Sequence, residues 1–226
     1  MSSIAHFHTA ICAGASQISP DGSRKSEICG APSRKRSGME IKMQFGITIP
    51  LQKALKIRSL PYGEPQDLFF CWELHGITWQ GKETLFVTNA NNGFSVILWG
   101  MKAGDWKNYP QLVTDGIREG LTGDGYTAEQ ADRYLELAGP CEITKTHGRR
   151  PVSALNREID LLYYGPAEAD KSGKYQRFYS HYINCARIKG PGFGIYGSPS
   201  GFLERDMRRA GIIKDQAYID SAPPLW

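Results

Sequence analysis

Residues 68–99, LFFCWELHGITWQGKETLFVTNANNGFSVILW, decide the fold class, because three apolar runs alternate with turn residues in this stretch. The runs are typical of β-strands and cover residues 68–74, 84–89 and 94–99. Residues 75–81 would form the first turn, and Asn91-Asn92-Gly93 would form the second. Asn-Gly between apolar runs is a strong hairpin signal, since both residues tolerate positive φ. The stretch therefore predicts an antiparallel sheet that is covered on at least one face.

Strand and helix patterns on either side of this stretch extend the predicted domain. Further strands are expected at residues 44–48 and 141–146, and helices at residues 105–121, 127–138 and 152–163. Thr127 and Gln130 form a capping-box pattern, in which each side chain satisfies a backbone N–H group at a helix start. The sequence predicts an α+β domain over residues 43–164, with an antiparallel sheet and helices packed mainly on one face.

The two ends of the chain differ in composition from this core. Residues 1–42 hold six Lys or Arg residues against three acidic ones and are rich in Ser, Gly and Pro, which predicts a disordered basic leader. Met39 and Met43 leave open a natural start at either position, with the leader then a mis-assigned segment. Residues 165–226 are expected to form an aromatic and basic C-terminal extension of helices and loops that docks on the core.

Charge and cysteine content exclude several classes of function. Residues 43–226 contain 21 basic and 20 acidic side chains, so the core lacks the broad basic field of a dedicated duplex binder. The five cysteines show no CxxC pair, and we expect no disulfide framework, no metal and no cofactor. No apolar run approaches the roughly 20 residues that a bilayer needs. The chain is therefore predicted to be cytoplasmic, without a membrane partner and with its oligomeric state open.

Residues 144–156, TKTHGRRPVSALN, form the strongest candidate site. The polar residues proposed to bind an anion are Thr144, Lys145, Thr146, His147, Arg149, Arg150 and Asn156. Pro151 is a natural first-turn residue, so the basic loop would lie at a helix N-terminus, where backbone N–H groups and arginines suit phosphate or carboxylate. His147 is a weak catalytic candidate, since imidazole titrates near neutral pH. The alternative is that Arg149 or Arg150 pairs with Glu142 or Glu158, and that Thr144 lies in a strand.

A second basic region follows a glycine-rich loop at residues 190–201. The loop contains GFGIYG, which matches the GxGxxG spacing but lacks the strand before it and the helix after it that a dinucleotide site needs. Phe193 and Tyr196 could stack on a base or fold against the core. Arg205, Arg208 and Arg209 lie on the next predicted helix, where they form either a secondary basic patch or an ordinary solvated face.

Two blocks of the sequence resemble a small bacterial domain family of unknown function that occurs among uncharacterised prokaryotic and mobile-element proteins. The matching positions are Trp72, Asn89, Thr144, Thr146, His147, Arg149, Leu155 and Asn156. The resemblance covers residues 43–164 and departs at residues 89–92, where Asn-Ala-Asn-Asn stands in place of a Thr/Arg pair. It implies no activity, and it points to a polar cluster of Thr146, His147, Arg149 and Asn156.

Three hypotheses for the function follow from these observations. The first is a binding module that contacts a nucleic acid or an acidic partner protein through the basic loop. The second is an enzyme that acts on a phosphate-bearing substrate, with His147 as general acid/base and Arg149 and Arg150 as anion clamps. The third is a protein–protein interaction module that uses the aromatic C-terminal segment, including Phe178 and Tyr182.

Overall fold

A five-stranded sheet organises the part of the chain that the computed structural model describes, residues 41–213. Its strands are β1 (Met43–Ile47), β2 (Cys71–Trp79), β3 (Lys82–Asn89), β4 (Ser95–Trp99) and β5 (Cys141–Lys145), and β6 (Ile188–Lys189) and β7 (Tyr196–Gly197) form a separate small hairpin. The helices are α1 (Ile49–Ala54), α2 (Ala103–Lys107), α3 (Tyr109–Gly123), α4 (Ala128–Ala138), α5 (Arg149–Tyr163), α6 (Arg177–Asn184) and α7 (Pro199–Arg209). Residues 1–40 of the expected leader and residues 214–226 lie outside the described range.

The α+β class is confirmed, but the sheet is mixed rather than purely antiparallel. Its strand order is β4-β3-β2-β1-β5, in which β2, β3 and β4 form the expected antiparallel meander. Strand β1 lies parallel to both β2 and β5. Parallel neighbours need long crossover connections. Here α1 and a loop join β1 to β2, and helices α2 to α4 return the chain to β5.

Helices cover both faces of the sheet, which differs from the expected packing mainly on one face. On the first face the core is apolar, and α3, α4 and α7 contribute Val113, Tyr134 and Met207 to it. On the second face α5 and α6 pack Leu155 and Ile183 against strand residues such as Phe86 and Ile97. Successive strand residues point to opposite faces, so the nearly continuous burial of β3 and β4 is the pattern of a sheet buried on both sides.

The meander differs in detail from the prediction at its start and first turn. Residues 68–70 form a single 3₁₀ turn that Asp67 caps, and β2 runs from Cys71 through Trp79. The predicted turn at residues 75–81 is therefore shorter than expected. It consists of Gln80 and Gly81, which both have positive φ. Two such residues suit a two-residue hairpin turn, whose twist matches that of the flanking strands.

The C-terminal segment of the described range, residues 165–213, packs against the sheet. The side chain of Asn184 accepts a hydrogen bond from the backbone N–H of Ser95 and donates one to its carbonyl group. Asn91 and Asn92 donate to the buried carboxylate of Asp206 on α7. These contacts tie α6 and α7 to the β3–β4 connection, so residues 41–213 all belong to one compact unit. Within this range no helix combines the length and apolar character that crossing a bilayer requires.

Candidate anion-binding site

Helix α5 begins at Arg149, three residues earlier than the sequence predicts. Gly148 precedes it with φ 113°, a value that favours glycine, and no side chain caps the first turn. Pro151 lies in that first turn, where its missing N–H group costs no hydrogen bond. Arg149 and Arg150 are therefore the first two residues of the helix rather than part of the preceding loop. The N-terminus of α5 therefore combines the positive end of the helix dipole with the side chains of two arginines.

The N-terminal half of α5 forms one wall of a cleft of about 510 Å³, which we call the basic cleft. Its lining residues are Arg149, Arg150, Ser153, Arg157, Lys189, Gly190, Pro191 and Gly194. Ser153 follows Arg149 and Arg150 by four and three residues, and Arg157 follows Ser153 by four, which places these side chains on one side of the helix. The other wall is the β6–β7 hairpin, and Arg157 bridges the two walls by donating to the carbonyl oxygen of Lys189 at 3.4 Å.

The four cations of the basic cleft have no carboxylate partner in the part of the chain that the structure describes. Within residues 41–213, none of Arg149, Arg150, Arg157 and Lys189 forms an ion pair with a carboxylate. Several cations elsewhere do, including Lys174, whose Nζ lies 2.6 Å from Asp105. Among the described residues, neither Arg149 nor Arg150 pairs with Glu142 or Glu158, in contrast to the predicted alternative. A local excess of positive charge follows, in a core whose overall charge is close to zero.

A row of buried polar residues crosses the sheet beneath α5. Strand register places these residues side by side, one on each strand from β5 to β4: Thr144, Gly46, Glu73, Thr88 and Ser95. The four with side chains are fully buried. Gly46 is required here because a Cβ atom would lie 2.6 Å from Glu73 Oε2 and 2.9 Å from His147 Nδ1. We call this feature the buried polar row.

Glu73 in the buried polar row holds the residue just before α5. Its Oε1 accepts hydrogen bonds from the His147 backbone N–H at 2.7 Å and from Nδ1 at 3.0 Å. The Nε2 of His147 lies 3.0 Å from Gln44 Oε1. The Gln44 amide nitrogen donates to the Glu64 carbonyl group, which leaves Oε1 to accept from His147. Both ring nitrogens therefore donate, so His147 is an imidazolium ion paired with a buried carboxylate.

The charge of His147 reflects a balance of opposing effects. Burial disfavours the imidazolium, but Cys71 and Glu73 favour it more strongly and raise the pKa of His147 to about 9. Its side chain is only 9% exposed, and both ring nitrogens are engaged with protein groups. A general acid or base needs a ring nitrogen within reach of substrate. This geometry favours an anchoring role for His147 at the start of α5.

Glu158 attaches the middle of α5 to the same row. Its Oε2 accepts from the hydroxyl groups of Thr88 at 2.9 Å and Ser95 at 2.6 Å. Burial raises the pKa of Glu158 to about 7, although both hydrogen bonds and nearby Arg157 oppose the rise. Its Oε1 and the Oε2 of Glu73 are buried without a hydrogen-bond partner among the described residues. Glu73 on the sheet and Glu158 on the helix thus attach α5 to the sheet.

The other predicted site residues do not join the arginines in the basic cleft. Thr144 is buried in β5, as the alternative interpretation expected, and Lys145 lies over the Tyr62 ring, 3.9 Å from its centroid. Thr146 is half-buried, and Asn156 is exposed on α5, but neither lines the cleft. The predicted cluster is therefore divided between the cleft, which takes Arg149 and Arg150, and the interior, which takes His147.

The secondary basic patch on α7 is largely engaged with carboxylates. Arg208 pairs with Glu204 at 2.7 Å. Arg209 pairs with Asp206 at 2.9 Å and also with Asp67. Arg205 lies over the Phe202 ring, with its guanidinium carbon 5.9 Å from the centroid. Arg208 and Arg209 are thus paired with carboxylates, whereas the cations of the basic cleft have no such partner within residues 41–213.

Sequence reasoning missed half of the basic cleft and most of the buried polar row. Arg157 carried a usable signal, since it follows Arg150 by seven residues on the same helical side. Lys189 carried none, because it comes from a separate hairpin more than 30 residues later. Glu73 and Glu158 look like ordinary surface carboxylates in a sequence, and only their burial reveals their role.

The histidines and cysteines of the described residues are dispersed. Residues 41–213 contain no group of three or more His, Cys, Asp or Glu side chains arranged to hold a metal ion. His181 and Cys185 are four residues apart, with Sγ 3.5 Å from Nε2, but two side chains do not complete a tetrahedral site. Cys71, Cys141 and Cys185 are free thiols.

Fold and site together define an α+β domain with a basic cleft between a helix N-terminus and a small hairpin. The chain belongs to the family described as a domain of unknown function, DUF6933, whose model matches residues 44–201. The predicted resemblance to an uncharacterised domain family is thus confirmed, and the match extends past residue 164 to include the β6–β7 hairpin. No curated protein and no solved structure matches the chain.

Proposed function

We propose that this protein is a non-enzymatic binding module that holds the phosphate groups of a nucleic acid in the basic cleft. One observation carries the proposal: four cations from α5 and the β6–β7 hairpin converge on one cleft without a carboxylate partner in residues 41–213. The cytoplasmic location remains a prediction. The bacterial or mobile-element origin is also a prediction, since the family description specifies neither.

The chemistry of the cleft suits phosphate. Arginine presents a planar fork of donors that can contact two phosphate oxygens at once, and lysine adds a point charge from the opposite wall. The first turn of α5 contributes backbone N–H groups that no side chain caps. Ser153, exposed on the same side of the helix, adds a hydroxyl donor.

The spacing of the cations favours a polymer over a single small anion. Arg149 and Arg150 lie seven to eight residues before Arg157 on α5, a distance of about 11 Å along the helix axis. Consecutive nucleotides of a strand advance about 3.4 Å along the axis of B-form DNA, so this span corresponds to about three of them. A nucleic-acid strand could therefore place successive phosphates at both groups of cations.

Replacing both first-turn arginines tests the proposal. We expect Arg149→Ala/Arg150→Ala to weaken binding of a fluorescein-labelled oligonucleotide of about 12 nucleotides by about tenfold or more, because two phosphate contacts are lost. The slope of log affinity against log salt should also become shallower by about 1.4. Fluorescence anisotropy of the full chain at two or more salt concentrations measures both quantities.

A matched variant controls for net charge. Lys53→Ala/Arg58→Ala removes two exposed cations outside the cleft and should change affinity little. The proposal is contradicted if the two double variants bind equally well. Displacement of the oligonucleotide by excess poly-glutamate, with no preference for phosphate, would instead support an acidic protein as the partner.

A further inference from the structure

Tyr196 lies beside the basic cleft with its ring exposed. In the β6–β7 hairpin, Lys189 pairs directly with Tyr196 and Ile188 pairs with Gly197. Directly opposite residues of an antiparallel pair project from the same face. Ile188 is buried, so Lys189 and Tyr196 occupy the outward face, and Lys189 lines the cleft. The structure therefore places an aromatic ring next to Lys189, one of the four cations of the basic cleft.

The two aromatic residues of the glycine-rich loop have different environments. Phe193 stacks on the buried ring of Phe202, with centroids 4.6 Å apart, so it belongs to the packing of the domain. Tyr196 is 66% exposed, and its side chain makes no hydrogen bond or ring contact within residues 41–213. Its neighbour Ile195 is 50% exposed. Tyr196 is therefore the aromatic residue of this loop whose ring a ligand could reach.

The hairpin that carries Tyr196 is held in one conformation. Gly190 donates to the Ile195 carbonyl group at 3.0 Å, and Gly194 donates to Gly190 at 2.9 Å. Gly192 donates to Asn91 in the β3–β4 connection at 2.8 Å, which ties the hairpin to the main sheet. A platform fixed before binding loses little conformational entropy when a ligand stacks on it.

We infer that the ligand is a single-stranded nucleic acid whose phosphates lie in the basic cleft while one base stacks on Tyr196. This inference rests on the proposed function and adds to it that the bound nucleic acid is single-stranded. Grooves that bind single strands combine cations along the backbone with aromatic rings under the bases. In a duplex the bases are already stacked on one another and do not reach such a ring. The near-neutral core also lacks the broad field of a duplex binder.

Comparing a base-bearing strand with an abasic strand separates the contribution of base stacking from that of phosphate binding. The full chain and its variants would be titrated with a single strand of about 12 nucleotides and with an abasic sugar–phosphate strand of equal length. We expect Tyr196→Ala to weaken binding of the base-bearing strand by about tenfold and to leave binding of the abasic strand unchanged. Tyr196→Phe should bind like the wild type, because stacking needs the ring and not the hydroxyl group.

Tyr164→Ala is the matched control, since Tyr164 is 86% exposed and does not line the cleft. The single-strand assignment is overturned if Tyr196→Ala binds both strands as the wild type does, or if a duplex of the same sequence binds more tightly. If the abasic strand still requires Arg149 and Arg150 in that case, the proposed function survives alone. If Arg149→Ala/Arg150→Ala has no effect on either strand, the proposed function itself fails.

Discussion

Replacing His147 by alanine is expected to lower the free energy of unfolding by about 3–5 kcal/mol. The substitution removes the cation that lies 3.0 Å from the fully buried carboxylate of Glu73. Glu73 would keep only the backbone N–H of residue 147 as a partner for its Oε1, and its Oε2 already has none among the described residues. Removing one partner of a buried ion pair is costly because the charge of the other partner is left uncompensated.

Urea denaturation followed by far-UV circular dichroism measures this loss. His181→Ala is the matched control, since the His181 side chain is 64% exposed on α6 and should contribute little to stability. A loss of less than about 1 kcal/mol for His147→Ala, as is usual for exposed ion pairs, would show that the pair does not form in a buried setting.

The pair of His147 and Glu73 should also make the free energy of unfolding depend on pH in the alkaline range. The pKa of His147 is raised to about 9 in the folded protein, against about 6.5 for an ordinary histidine. The folded state therefore holds this proton more tightly than the unfolded chain does. The stabilisation is fully present below about pH 6.5 and is lost as pH rises through about 9. In the His147→Ala variant, this part of the pH dependence should be absent.

Glu158→Gln is the second substitution with a large expected effect, and its size should depend on pH. Burial raises the pKa of Glu158 from about 4.5 to about 7, so the folded protein binds a proton there that the unfolded chain releases at lower pH. Wild-type stability should therefore fall as pH rises through this window. Glutamine does not titrate, so we expect the stability difference between variant and wild type to move in favour of the variant by about 2–3 kcal/mol between pH 5 and pH 8.

Denaturant unfolding at four or five pH values across this range provides the test. Asp160→Asn changes an exposed carboxylate on the same helix and should keep the wild-type pH profile. A Glu158→Gln profile parallel to that of the wild type would mean that Glu158 stays ionised in the fold. The two hydroxyl groups of Thr88 and Ser95 would then compensate the charge.

The buried polar row connects stability to the proposed binding function. Glu73 on β2 holds the residue just before α5, and Glu158 holds the middle of α5 against β3 and β4. The three arginines of the basic cleft lie between these two attachment points in the chain. Glu73 and Glu158 thus position the cations of the basic cleft from the interior, while His147, Thr88 and Ser95 donate hydrogen bonds to the two buried side chains.

The sequence by itself determined the elements whose signals are local. Apolar runs and the Asn-Gly turn located the β2–β3–β4 meander, and the Thr127 capping box located α4, where both of its hydrogen bonds form. Helical spacing together with Pro151 predicted α5 from Val152, three residues after its actual start at Arg149. These features depend on neighbours a few positions apart, so periodicity and turn chemistry reveal them.

Only the tertiary structure decided which distant residues meet. Strand β1 enters the sheet parallel to β2 and β5, and this placement creates the buried polar row. Glu73 and His147 are 74 positions apart in the chain, and Thr88 and Glu158 are 70 apart. Lys189 lines the basic cleft, and Tyr196 lies beside it, because a late hairpin folds back against α5. Pairings of this kind leave no local period in a sequence, since they arise from the shared burial of surfaces that only the complete fold brings together.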